Sequence, residues 1–490
     1  ICAFRVKREK KQYMYNRKDR DVHERKEDGQ SEFEALNGTN AIMSDNSKAY
    51  SIKFLTFNTW GLKYVSKHRK ERLRAIADKL AGHSTLTPIS DELLPNGGDS
   101  NENEDYDVIA LQEIWCVEDW KYLASACASK YPYQRLFHSG ILTGPGLAIL
   151  SKVPIESTFL YRFPINGRPS AVFRGDWYVG KSIAITVLNT GTRPIAIMNS
   201  HMHAPYAKQG DAAYLCHRSC QAWDFSRLIK LYRQAGYAVI VVGDLNSRPG
   251  SLPHKFLTQE AGLVDSWEQL HGKQDLAVIA RLSPLQQLLK GCTTCDSLLN
   301  TWRAQRQPDE ACRLDYALID PDFLQTVDAG VRFTERIPHL DCSVSDHFAY
   351  SCTLNIVPQG TESRPSTSVK RAKTHDRELI LQRYSNYETM IECIHTYLKT
   401  AQRQKFFRGL HFWASILLLI ASLVVTTFTA NKAGWSSIFW VLFAIAVSIS
   451  GTIDGAISFL FGRSEIRALS EVEQEVLDAE HHLQTFLSEK

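Results

Sequence analysis

The stretch Val239-Ile240-Val241-Val242-Gly243-Asp244-Leu245-Asn246 joins four β-branched residues to a carboxylate and an amide two residues apart. The apolar run reads as a buried strand. Alternate residues of a strand share a face, so Asp244 and Asn246 can converge on one point. That point could hold a metal ion, a water or a phosphate; the plainer alternative is a polar turn. Other strand ends carry similar groups. Asn58 closes the alternating run from Ser51, and Glu113 closes Val108-Ile109-Ala110-Leu111-Gln112. His201 and His203 follow Ile195 to Ser200, Asp315 lies in Arg313-Leu314-Asp315-Tyr316, and Asp346-His347 precede a last strand. A single such residue is explained by a cap, a salt bridge or solvation. Six polar strand ends together point to one site.

The elements that must position these groups follow in chain order. Residues 1–48 are charged and lack apolar periodicity, the composition of a disordered arm. From 49 to 357 strands alternate with helices, which predicts one α/β domain. Helical spacing covers Lys67 to Leu80, about 117–129, and Tyr214 to Ala235. Further strands are expected at Leu147–Leu150, Ile183–Leu188, Ile195–Asn199, Leu314–Ile319 and Ala349–Ile356. Residues 84–106 are acidic and rich in Pro, Gly and Asn, which marks a surface insertion. Residues 270–310 form a second, partly helical insertion. Pro358, Gly360, Pro365 and several Ser and Thr make 358–375 a linker.

Residues 376–490 read as a helical membrane domain. Ile380, Tyr384, Tyr387, Ile391, Ile394 and Leu398 form the seam of a packed helix. Two apolar runs follow, at about 410–430 and 435–453, joined by Asn431-Lys432-Ala433-Gly434. The first spans roughly 31 Å as a helix, enough for a bilayer core. Asp454 belongs at an interface, because a charge at bilayer centre costs about 2.5–3.5 kcal/mol. Arg403, Lys405, Arg408, Arg463 and Arg467 flank the hairpin, so both chain ends are expected in the cytosol. Leu469, Val472, Val476, Ala479, Leu483 and Phe486 form a second seam, expected to pair antiparallel with the first; cysteines placed at Ile391 and Val476 would test this by crosslinking.

The formal net charge of +4 equals the excess of ten basic over six acidic residues within 1–30. The remainder is near neutral, which argues against a nucleic-acid surface. The N-terminal residues are charged and do not read as a signal peptide. Eleven cysteines without a repeating pattern suggest reduced thiols on the cytosolic side. Cys292 and Cys295 form one CxxC, with Cys312 beyond; unpaired thiols are favoured over zinc.

The segments TFNTWGL (56–62), LQEIW (111–115), NSHMHA (199–204), GDLNSRP (243–249), RLDYAL (313–318) and SDH (345–347) resemble the successive motifs of the endonuclease/exonuclease/phosphatase superfamily. The resemblance covers residues 51–357 and implies a two-sheet, DNase-I-like α/β sandwich that hydrolyses a phosphate ester with Mg²⁺. Arg174-Gly175-Asp176-Trp177-Tyr178-Val179-Gly180-Lys181 resembles a segment of neutral sphingomyelinases, with Ser182 in place of their last Gly. The two C-terminal spans resemble fungal inositol phosphosphingolipid phospholipases C, and occur in a mammalian neutral sphingomyelinase too.

The resemblance implies roles. Glu113 is the direct metal ligand, helped by Asn58, and Asp346 completes a second metal position. His347 is the general base, oriented by Asp315. Asp244 holds the attacking water, Asn246 donates to phosphoryl oxygens, and His201, rather than His203, serves the leaving group. Asp176 and Lys181 form a switch in a flexible loop. The expected reaction is phospholipase C-type cleavage of inositol phosphosphingolipids or sphingomyelin to ceramide, with a membrane phosphatase or nuclease of the same superfamily as the alternative. Anionic phospholipids are expected activators near 403–408. The expected membrane is the endoplasmic reticulum, with the mitochondrial outer membrane as alternative.

Overall fold

The computed structural model describes residues 51–90, 105–140, 144, 146–171, 174–191, 193–357 and 369–488. The charged arm, most of the 84–106 insertion and most of the linker lie outside them. The described residues belong to one compact unit, Ala49–Lys490.

Two six-stranded sheets face each other. One runs edge to edge through Leu324–Arg332, Ala349–Ile356, Ser51–Asn58, Val108–Ile114, Gly146–Ser151 and Tyr133–His138. The other runs through Ile155–Arg162, Ser182–Leu188, Ile195–His201, Ala238–Asp244, Asp315–Ile319 and Val264–Asp265. This is the expected two-sheet α/β sandwich. Each sheet has one central parallel pair: Ser51–Asn58 with Val108–Ile114, and Ile195–His201 with Ala238–Asp244.

Period-two alternation sorts each strand between layers. Ile52, Phe54, Val108 and Ala110 meet Ile197, Ile240, Val242 and Ala317 between the sheets. Leu55, Phe57, Ile109 and Leu111 instead pack under the helices Arg69–Ala81 and Val117–Cys127. Val239 and Val241 pack under the helix Leu215–Gln234. Asn58, His201, Asp244 and Asp315 continue the inner-face series at the strand ends. Gly243 permits this parallel pairing: its φ is 131°, and a Cβ there would lie 1.9 Å from the Ser200 carbonyl oxygen.

The C-terminal region differs from a seam helix followed by a separate span. One helix of 61 residues, Val369–Thr429, contains both. At 1.5 Å per residue it is about 90 Å long. The second helix, Ser436–Ala456, passes through a π-turn at Ile457–Phe461 into Gly462–Ser488. The two arms run antiparallel: His395 pairs with Glu473 at 2.6 Å, and the Gln484 amide donates to the Tyr384 hydroxyl at 3.2 Å. Small residues let the spans close on each other; a Cβ at Gly451 would sit 2.5 Å from the Ser415 Cβ. Asp454 is paired with Arg408, and with His411 Nδ1 at 2.8 Å.

The span surfaces are apolar and open, with Leu417 68% and Phe428 74% exposed. A soluble core helix would bury such residues. Two helices are therefore long and apolar enough to cross a membrane. Below them the arms do not stand apart from the sandwich. Tyr387, Met390, Ile394, Leu469, Val472 and Val476 share one core with Trp223 and Phe225 of the Leu215–Gln234 helix.

Candidate active site

The parallel pairs bring Asn58 and His201 to the same end of the two sheets. Register places His201 opposite Asp244, and Asp244 opposite Asp315. The strand after His347 is antiparallel to Ser51–Asn58, with Tyr350 opposite Thr56, so the Ser345-Asp346-His347 turn is level with Asn58. The Ser345 hydroxyl donates to the Asn58 carbonyl at 2.6 Å. All of these side chains are buried.

His347 and Asp315 form a pair, with His347 Nδ1 2.8 Å from Asp315 Oδ2. Burial opposes charge on the imidazole, but the Asp315 and Asp244 carboxylates outweigh it and push the His347 pKa well above the ordinary value. Its Nε2 faces Asp244 Oδ2 at 3.8 Å, and His201 Nε2 faces the same oxygen at 3.6 Å. Both gaps exceed a direct hydrogen bond and suit a bridging water or substrate oxygen. Burial, reinforced by the nearby Lys181 charge, pushes the His201 pKa well below the ordinary value, so His201 rests neutral. Burial pushes Asp244 up to about 6, against the opposing pull of His347.

Glu113 reaches the site by an irregularity. Simple alternation would turn it toward the helices with Ile109 and Leu111. The register slips between Gln112 and Ile114, and Glu113 takes φ 62°. This bulge turns its carboxylate to the mouth. Asn58 Nδ2 donates to Glu113 Oε1 at 3.1 Å and to Asp244 Oδ2 at 3.0 Å, while its Oδ1 accepts from the Trp60 N–H at 3.1 Å. Asn58 therefore ties two carboxylates together through its amide nitrogen.

The residues around Glu113 fit a hard cation. Burial first, and then the Asp346 carboxylate, pushes Glu113 up to about 7. Asp346 Oδ2 accepts from Arg303 Nη2 at 2.8 Å, but its buried Oδ1 has no partner. Two repelling carboxylates with an orphaned oxygen offer the oxygen donors a hard cation takes. A second candidate cluster consists of Asp244, Asp315 and His347, whose ligand atoms lie within 4.8 Å of one another. There His347 Nδ1 and Asp315 Oδ2 are engaged with each other, while the buried Asp315 Oδ1 has no partner.

Asn246 arrives differently from its expectation. The strand ends at Asp244, so the shared-face argument does not apply. Asn246 takes φ 47°; its backbone N–H donates to Asp244 Oδ1 at 3.0 Å and its Nδ2 to the Met202 carbonyl at 3.0 Å. It positions Asp244 and keeps one amide hydrogen for a ligand.

Asp176 and Lys181 are not in an open loop. Asp176–Val179 is one helical turn, and Ser182 starts a strand. Both side chains are buried and paired at 2.8 Å. Burial would raise the Asp176 pKa, but Lys181 and the Tyr206 hydroxyl, which donates to Asp176 Oδ2 at 2.5 Å, hold it well below the ordinary range. Neighbouring Trp177 packs edge-on against Phe461 at the foot of the second span, with centroids 5.0 Å apart. His203 is not in the His201–His347 group; it stacks on Tyr214 at 4.1 Å.

Sequence reasoning missed Arg72 and Arg303. Arg72 is wholly buried and donates to the carbonyls of Thr59, Trp60 and Val344, which joins the Asn58 turn to the His347 turn. No motif marks it. Arg303 sits in the 270–310 insertion, next to Trp302, whose ring lies 5.1 Å from Trp60. Tyr206 was within reach, three residues after His203.

A family model described as the Endonuclease/Exonuclease/phosphatase family matches residues 55–347. The chain is 35% identical over 436 residues to the inositol phosphosphingolipids phospholipase C of Schizosaccharomyces pombe, covering 86% of this chain and 93% of that one. It is 28% identical over 319 residues to sphingomyelin phosphodiesterase 2 of Homo sapiens, covering 65% and 67%.

Proposed function

Because the chain belongs to the endonuclease/exonuclease/phosphatase family, we propose that it is a Mg²⁺-dependent phospholipase C acting on inositol phosphosphingolipids or sphingomyelin. The products are ceramide and a phosphorylated head group. The observation that carries this reading is the buried His347–Asp315 pair, with Nε2 turned toward Asp244.

In this mechanism His347 acts in its neutral form: Nε2 takes a proton from a water held against Asp244, and Asp315 holds Nδ1 and stabilises the imidazolium that forms. The water attacks phosphorus. His201, neutral at rest, donates to the phosphoryl or leaving oxygen. Asn246 offers its remaining amide hydrogen to the phosphate. Glu113 and Asp346 would hold Mg²⁺, with Asn58 orienting Glu113; the bound ion supplies charge neutralisation to the phosphate. Lys181, within electrostatic reach of Glu113 and His201, reaches either the substrate or Asp176.

The two apolar helices keep the site at the lipid surface where an insoluble substrate resides. Basic residues at their outer ends favour a cytosolic site on the endoplasmic reticulum, with the mitochondrial outer membrane as alternative. Arg403, Lys405, Arg463 and Arg467 would attract anionic lipid, at about 1 kcal/mol each near the surface.

The test is incubation of purified protein with both lipid classes, with Mg²⁺ or a chelator, and with or without anionic lipid. Ceramide release that requires Mg²⁺ and rises with anionic lipid is expected. Hydrolysis of a phosphomonoester or of DNA, with no ceramide from either lipid, would overturn the reading.

A further inference from the structure

We propose that Cys295 and Cys312 are a site of reversible oxidation, forming a disulfide beside His347. Both are free thiols, Cys295 buried and Cys312 half-buried. They oppose each other directly across a short antiparallel bridge. Each backbone N–H donates to the other's carbonyl, at 2.9 and 3.0 Å. In such a hydrogen-bonded pair the Cα atoms are about 5.5 Å apart, inside the range a disulfide spans.

The pair is mechanically joined to the catalytic groups. Cys295 also bridges His347. Adjacent Thr294 accepts from the Phe348 N–H at 2.8 Å through its carbonyl, and from the Leu314 and Asp315 N–H groups at 3.1 and 3.2 Å through Oγ1. One short segment therefore supports both partners of the His347–Asp315 pair. The chain between the cysteines carries Arg303, which holds Asp346, and Trp302, which packs on Trp60.

The oxidant is a peroxide. One thiolate attacks the peroxide oxygen, giving a sulfenic acid and water; the second thiol displaces a second water as the S–S bond forms. The net change is two thiols and one H₂O₂ to one disulfide and two waters, and a small dithiol reverses it. Opposed Cβ atoms in strands lie about 4.5–5.5 Å apart, with hydrogen-bonded pairs at the wide end, whereas a disulfide brings them to about 3.8 Å. Closing the bond thus shifts the Cys295 segment by on the order of 1 Å. Displacements of that size at a catalytic pair cost up to about 10²-fold in rate.

The experiment treats the full-length protein in mixed micelles with hydrogen peroxide, maps linked peptides by mass spectrometry and follows turnover. A Cys295–Cys312 link is expected to accumulate in step with at least a fivefold loss of turnover, and dithiothreitol should restore both. Cys312→Ala should abolish the link and resist inactivation. Cys216→Ser, at another buried free thiol, should change neither response. The link is read by mass and does not depend on which lipid is the substrate. No 295–312 link while other thiols oxidise, or a complete link with unchanged turnover, overturns the proposal. So does inactivation of Cys312→Ala at the wild-type rate. If Cys312→Ala fails to fold, Cys295→Ser serves, and the wild-type correlation between link and turnover decides alone.

Discussion

At the scale of single residues, burial and neighbours set opposite protonation tendencies in two nearby histidines. The Asp315 and Asp244 carboxylates push the His347 pKa up, while burial and Lys181 push that of His201 down. Replacing Asp315 by Asn removes a negative charge that stabilises the imidazolium. The His347 pKa then falls, so the acid limb of the kcat–pH profile should move to lower pH. Loss of the orienting carboxylate should also lower kcat by about 10²-fold or more. An acid limb that stays in place would exclude His347 as the base. Lys181→Ala leaves Asp176 buried without its partner ion, a loss that costs about 3–5 kcal/mol in other buried pairs. Turnover on micellar substrate should fall at least tenfold while partition into vesicles is unchanged; unaltered turnover would remove Lys181 from the mechanism.

At the scale of elements, how much could be read depended on regularity. Asn58, His201, Asp244 and Asp315 end inner-face series, so alternation alone predicts their convergence. Glu113 breaks the series, since by period two it belongs with Ile109 and Leu111. Only the bulge at φ 62° brings it to the mouth, and no pattern in Val108–Ile114 announces a bulge. Asn246 converges through a left-handed turn rather than a pleat. The strands Ile155–Arg162 and Leu324–Arg332 escaped notice because they are sheet edges with mixed, largely open faces. Arg72 and Arg303 act through contacts distant in sequence, which local spacing cannot encode. The helix Leu215–Gln234 bears a different strain. Asp224 accepts from the Tyr161 hydroxyl at 3.2 Å, and burial, with Glu475 nearby, pushes it up to about 7. A carboxyl raised on folding contributes stability below its unfolded pKa of about 3.9 and loses it as pH rises toward the folded value. Asp224→Asn should therefore raise stability at pH 8 by on the order of 1 kcal/mol, with no gain near pH 4. Thermal melts across that range check both ends.

At the scale of the molecule, the C-terminal helices that carry the two apolar spans are also part of the enzyme's core. Both seams were legible from their three-four spacing, but their docking on the sandwich was not, because Trp223 and Tyr387 have no shared local pattern. Trp223 donates to Glu475 at 2.7 Å and packs edge-on against Tyr387. Arg383 and Tyr387 both hold Glu260. A chain ending at Val357 would uncover this face, and it should aggregate rather than yield a soluble monomer; size-exclusion chromatography decides. A monodisperse, active fragment would reduce the helices to a tether.

The central claim is that water held between His347 and Asp244 attacks phosphorus. Hydrolysis in ¹⁸O-water tests it most directly. One ¹⁸O should enter the phosphorylated head group, ceramide should carry none, and Asp244→Asn should release neither product while remaining folded and membrane-inserted. Label in ceramide, or undiminished release by Asp244→Asn, would contradict the account.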